Sequence, residues 1–149
     1  MKLETPFGPA WAAVNDRGDI TAFGFGEAKQ ADGFSEALGL QMAEFFAGER
    51  KQFDLPLAPQ GSDFQKKVWA SLLEIPMGES ISYAELARRI GRPGAARAVG
   101  RANATNPIAL IVPCHRVIGS SGKLTGYLYG VELKDMLLRW ESKESGQSA

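Results

Sequence analysis

The stretch from Trp11 to Phe25 reads as two strands around a polar interruption. Asn15 to Gly18 predicts the turn between them, because Asn and Asp hydrogen-bond locally and Gly reverses freely. From Phe34 to Ala47 the apolar residues Phe34, Ala37, Leu38, Met42, Phe45 and Phe46 recur at helical spacing, and Gly48 suits the stop. Leu55-Pro-Leu-Ala-Pro-Gln-Gly61 can extend neither element, so a boundary falls there. Beyond it the pattern is helical. Ser62 and Asp63 offer an N-cap to a stripe of Phe64, Val68, Trp69, Leu72 and Leu73, which Pro76 and Gly78 end. Ser82 caps a helix from Tyr83 to Ile90, with Glu85 three residues on as a capping box. Gly91-Arg92-Pro93 makes a turn, and Gly94 to Asn103 forms a short Ala-rich helix. The apolar run Ile108 to Val112 then reads as a strand, and Trp69 and Trp140 read as core.

Composition adds little to this ordinary globular pattern, but charge changes it. The 149 residues carry 17 basic and 17 acidic side chains. A zero net charge argues against a uniformly basic nucleic-acid binder. Between Leu86 and Val131, however, there is no Asp or Glu, while Arg88, Arg89, Arg92, Arg97, Arg101, Arg116 and Lys123 all fall there. Such a segregated stretch creates a local field that a polyanion feels, although an arginine-rich solvated face is the plainer reading. Two short helices around a Gly-containing turn, the second bearing Arg97 and Arg101, make a helix-turn-helix candidate. Small residues such as Ala95, Ala98, Gly100 and Ala102 would let that helix approach a duplex, or equally another helix. No apolar stretch approaches the ~18 residues of a membrane span, and no signal-peptide core opens the chain, so a reducing cytoplasm is the expected compartment.

The chain has one cysteine and one histidine, and they are adjacent, inside Pro113-Cys114-His115-Arg116-Val117. This pair excludes an internal disulfide and cannot build a tetrahedral zinc site from sulfur and nitrogen ligands. A lone cysteine after an apolar run is commonly a small buried hydrophobe. The alternative is a nucleophile, which acts as thiolate and needs a base, and His115 is one. If Val112 to His115 stays extended, the two side chains point opposite ways. A water relay or a sharp turn is then required.

Taken together, Ile81-Ser-Tyr-Ala-Glu-Leu-Ala, Ala95-Ala-Arg-Ala-Val-Gly100, Asn106-Pro107, Pro113-Cys-His-Arg-Val117, Gly126-Tyr127 and Lys134 through Leu137-Leu138 to Glu141 closely resemble the O6-alkylguanine-DNA alkyltransferases. The resemblance is strong from about Phe64 to Glu141 and looser from Thr5 to Phe46. It implies DNA repair by stoichiometric, single-turnover transfer of the alkyl group from O6-alkylguanine to Cys114 after base flipping, with O4-alkylthymine as a second candidate donor. His115 would draw the thiol proton through a water, and Glu141 would orient the imidazole. Tyr83 would donate a hydrogen bond to the purine ring, and Asn106 would hold the active-site turn. Pro113, Val117 and Tyr127 would line the substrate pocket, with backbone near Val117 reading the exocyclic amine. Arg97 would fill the gap left in the base stack, and Gly100 and Arg101 would lie against the DNA.

The implied fold is α/β. An N-terminal ribonuclease-H-like small sheet with a helix (1–56) is followed by a linker (57–61) and a winged helix-turn-helix domain (62–149). The implied partner is double-stranded DNA carrying the lesion, bound through the minor groove without sequence specificity by a monomer. No organic cofactor and no metal are implied, because the lesion itself is the alkyl donor. Three other readings use the same residues. The noncatalytic alkyltransferase-like proteins bind alkylated DNA without repairing it, but they replace the cysteine, and Cys114 is present. A winged-helix transcription regulator needs the arginine-bearing helix but no thiol, and a cysteine hydrolase needs the thiol but an oxyanion hole that no motif here announces.

Overall fold

The computed structural model describes residues 1–28, 31–124 and 126–146. The chain divides into two compact units, Met1–Gln60 with Pro107–Ile111, and Gly61–Asn106 with Val112–Ala149.

In the first unit, strands β1 (Lys2–Thr5), β2 (Gly8–Val14) and β3 (Ile20–Phe25) form an antiparallel sheet in that order. The β2–β3 turn falls where Asn15 to Gly18 predicts it. Asn15 Oδ1 accepts from the Arg17 and Asp19 backbone N–H groups, and Gly18 takes the positive φ of 84° that a tight reversal needs. Strand β1 was not anticipated. Helix α1 (Glu36–Phe46) starts at Ser35, whose hydroxyl accepts from Leu38 N–H at 3.1 Å. Its stripe of Leu38, Met42 and Phe45 is buried, and Ala12, Ile20, Phe23 and Ile108 complete the unit's apolar core.

The run Ile108 to Val112 is not a strand. Only Ile108 makes a bridge, parallel to Phe23, with Phe23 N–H donating to Pro107 O and Ala109 N–H to Phe23 O. The chain then folds over at Leu110, which has φ 67° while Ile111 N–H donates to Ala109 O at 2.7 Å. This is the strained form of the γ-turn, rare for a residue with a Cβ. Continuous hydrophobicity here reflects burial on all sides and not extension.

The second unit is mainly helical. Helix α2 (Asp63–Leu72) begins with a complete capping box between Ser62 and Gln65 and buries Val68, Trp69 and Leu72. Trp69 donates to Ala102 O at 2.8 Å. Strand β4 (Ile81–Ser82) leads into helix α3 (Tyr83–Arg89), and Ser82 caps α3 by accepting from Glu85 N–H. The other half of the expected capping box is replaced. Glu85 turns its carboxylate to Arg88 and Arg89, which hold its pKa down at about 2. Helix α4 (Ala96–Ala104) packs against α2 and α3, completing the helix-turn-helix. A single 3-10 turn (Cys114–Arg116) runs into β5 (Val117–Ile118), which pairs parallel with β4 as the small wing. Helix α5 (Val131–Glu144) packs on that 3-10 turn. Trp140 on α5 is only half-buried, against the expectation of a core residue, because the buried stripe of the helix runs through Lys134, Leu137 and Glu141. No helix among the described residues is long and apolar enough to cross a membrane.

Candidate active site

Pro113 sets the geometry. Its ring fixes φ near the value an inverse γ-turn needs, and the residue adopts φ −81°, ψ 65°, with Cys114 N–H donating to Val112 O at 2.8 Å. The next three residues wind into the 3-10 turn. The extended geometry that would have sent Cys114 and His115 to opposite faces does not occur, and a sharp turn replaces it.

Cys114 is 7% exposed, and its environment pulls the thiol in two directions. Burial, the largest influence, raises its pKa above the ordinary thiol value, while a hydrogen bond from Asn106 and the charge of Lys134 favour the thiolate. Burial dominates, so the resting group is a protonated thiol that needs a base. Asn106 also donates to Val112 O at 2.8 Å, binding the turn on its N-terminal side.

His115 and Glu141 are fully buried, with Nε2 2.9 Å from Oε2. The same carboxylate takes a two-pronged pair from Arg116, Nε to Oε1 at 2.9 Å and an Nη to Oε2 at 2.7 Å. The remaining Arg116 Nη donates to Ile75 O. Burial alone would raise the Glu141 pKa, but His115 and Arg116 outweigh it and bring the group down to about 2. Glu141 is therefore a fixed anion. With Nε2 facing Glu141, His115 Nδ1 has no hydrogen-bond partner among the described residues and is the ring nitrogen left for a further contact.

Lys134 is the second buried charge of α5, with Nζ donating to Val117 O at 2.6 Å. Burial lowers its pKa, and the neighbouring Cys114 charge works the other way. Val117 is buried, and its N–H donates to Cys114 O, closing the 3-10 turn. The Tyr127 hydroxyl is enclosed without a partner among the described residues. Its ring stands 5.8 Å from that of Tyr129 in an edge-to-face arrangement. Burial first, then Cys114, Tyr129 and Glu141, push its pKa up, so it remains a neutral hydroxyl.

The structure thus brings Pro113, Cys114, His115, Asn106, Val117 and Glu141 together around one turn. Tyr83 stands half-buried at the start of α3, where a Cβ placed on Gly100 would come 3.7 Å from its ring. That is ordinary contact, so packing on α3 does not demand glycine at position 100. Arg97 and Arg101 lie exposed, four residues apart on α4, with no ion pair among the described residues. The basic stretch is smaller than its charge count suggested. Arg88 and Arg89 pair with Glu85, Arg92 lies over the Phe64 ring, and Arg116 is buried on Glu141. Arg116, Lys134 and Asn103 were missed as site residues. The signal for Lys134 was present, since it shares with Leu137 and Glu141 the spacing of a buried helical stripe.

Residues 63–143 match the family profile described as 6-O-methylguanine DNA methyltransferase, DNA binding domain. The chain is 48% identical over 148 residues to a methylated-DNA–protein-cysteine methyltransferase of Methanosarcina acetivorans, covering 93% of this chain and 95% of the relative. It is 58% identical over 105 residues to the protein of the same name from Mycobacterium bovis, covering 70% of this chain and 64% of that one. Among solved structures it superposes on that of Mycobacterium tuberculosis OGT in complex with DNA, at TM-score 0.87 and 45% identity, over 96% of this chain and 92% of the other.

Proposed function

Because the chain belongs to the methylated-DNA–protein-cysteine methyltransferase family and repairs DNA by stoichiometric alkyl transfer to cysteine, we propose that Cys114 is the acceptor of the alkyl group from O6-alkylguanine. One observation carries the assignment: the sole thiol of the chain sits in a turn held by Asn106, beside a buried His115–Glu141 pair.

In this reading the thiol proton passes through a water to His115, whose imidazolium is stabilised by the fixed charge of Glu141. The sulfur attacks the alkyl carbon, the carbon–O6 bond breaks, and the hydrogen bond from Tyr83 to the purine ring carries its hydroxyl proton across, so that guanine departs neutral and the proton held on His115 offsets the charge left on Tyr83. Val117 O accepts from Lys134 and keeps its second lone pair for the exocyclic amine of the base. Pro113 and Tyr127 complete the pocket wall.

A base inside a stacked duplex is beyond reach of a buried thiol, so the nucleotide is extruded, at a few kcal/mol and less for a poorly paired lesion. Arg97 fills the gap, and Gly100 and Arg101 meet the backbone from the minor groove. Binding through backbone contacts carries no sequence information, and in this reading a single copy of the chain acts on each lesion. O4-alkylthymine presents a similar alkyl ether and is a candidate second donor. A lone reactive thiol also suits a reducing cytoplasm.

The test is intact-protein mass spectrometry after incubation with a duplex bearing one O6-methylguanine. One methylene gained per chain, stopping at one equivalent and absent in Cys114→Ser, is the expected result. Tight lesion binding with no mass gain would make Cys114 structural.

A further inference from the structure

We propose that Asn103 is a positioning residue for alkyl transfer, which with Asn106 ties the nucleophile turn to the helix bearing Arg97 and Arg101. The inference rests on the reading of Cys114 as alkyl acceptor. Asn103 lies on the last turn of α4, is 3% exposed, and donates through Nδ2 to Cys114 O at 3.3 Å. Three residues on, Asn106 donates to Val112 O at 2.8 Å. Two amides from one helix end therefore hold the carbonyls on either side of Pro113, and the Pro113–Cys114 segment cannot shift without one of them.

The Asn103 oxygen argues that this position serves more than packing. Oδ1 is buried and has no hydrogen-bond partner among the described residues. Buried polar atoms are nearly always satisfied, and leucine, with the same branching, would carry no desolvation cost. Cys114 O already closes the 3-10 turn by accepting from Val117 N–H, so the turn forms without Asn103. What the amide adds is a fixed relation between α4 and the Cys114 carbonyl, whose carbon is bonded to the Cα that bears the thiol side chain. A helix seated on DNA then sets where the sulfur stands, and misplacing a reacting atom by about 1 Å costs on the order of a hundredfold in rate.

The experiment uses the full chain in single-turnover methyl transfer from a duplex with one O6-methylguanine, at increasing duplex excess. Asn103→Asp keeps the shape but loses the donor, and Asn103→Leu loses both the donor and the unsatisfied oxygen. Both should lower the limiting rate at saturating duplex by about tenfold or more, while the half-saturating concentration and affinity for unmodified duplex stay within about twofold. Asn103→Leu should also melt no lower than wild type, which separates positioning from folding. Limiting rates within twofold of wild type, or a loss confined to the half-saturating concentration, would overturn the proposal and leave Cys114 as acceptor. Failure of the wild-type chain to gain the methyl group would instead overturn both.

Discussion

Glu141 serves two partners at once, and its removal leaves buried Arg116 without a counter-charge and His115 without its orienting carboxylate. His115 approaches one oxygen and Arg116 grips both. Removing one partner of a buried pair typically costs about 3–5 kcal/mol, because the other charge stays desolvated. Glu141→Gln should therefore lower stability by that order in urea unfolding, and slow methyl transfer by at least about tenfold as His115 loses its orienting partner. The pH dependence follows in sign. A carboxylate depressed from 4.5 to about 2 contributes stability that is fully present above pH 4.5 and is lost as pH falls toward 2. Wild-type stability should fall through that window, and the variant should lack that component, as acid titration followed by circular dichroism would show. At this scale the string Pro-Cys-His-Arg-Val was legible, but the role of Arg116 was not. A charged residue looks solvated in sequence until its partner, 25 positions away, is known.

At the scale of elements, α4 presents Arg97 and Arg101 on one exposed face while its other face holds Val99, Ala102 and Asn103. The two arginines have separable effects. Arg101→Ala should weaken duplex binding evenly across sequences and reduce the slope of log affinity against log salt by about 0.9, the share of one phosphate contact. Arg97→Ala should slow repair of a duplex lesion at saturation yet leave reaction with the free O6-alkylated base within about twofold, since only the duplex needs a stack refilled. Equal losses on both substrates would count against extrusion. Helices α2 and α3 were readable because Ser62 and Ser82 announce them chemically. The run 108–112 was misread because hydrophobicity without period does not distinguish a strand from a buried turn. Only Pro113 hinted at the reversal, and only at its far end.

For the molecule as a whole, the reaction places a methyl group on a buried sulfur. Overpacking a tight interior by one methyl-sized group costs about 1–3 kcal/mol. In a chain of this length each kcal/mol lowers Tm by roughly 2–4 °C. The methylated protein should thus melt roughly 5 °C below the free form in scanning calorimetry, and an unchanged Tm would show that the pocket holds the adduct without strain.

The five residues Pro107–Ile111 belong with the first unit although they lie between two parts of the second. A fragment beginning at Gly61 would therefore carry these residues away from the first unit, where Phe23 bonds to Pro107 and Ala109 and bridges Ile108. Four apolar side chains would face water three residues before the nucleophile, a segment that chaperones and neighbouring fragments would seize. Genetic dissection at the obvious linker would then produce an insoluble half, and a gene fusion meant to borrow the repair chemistry would need the whole chain.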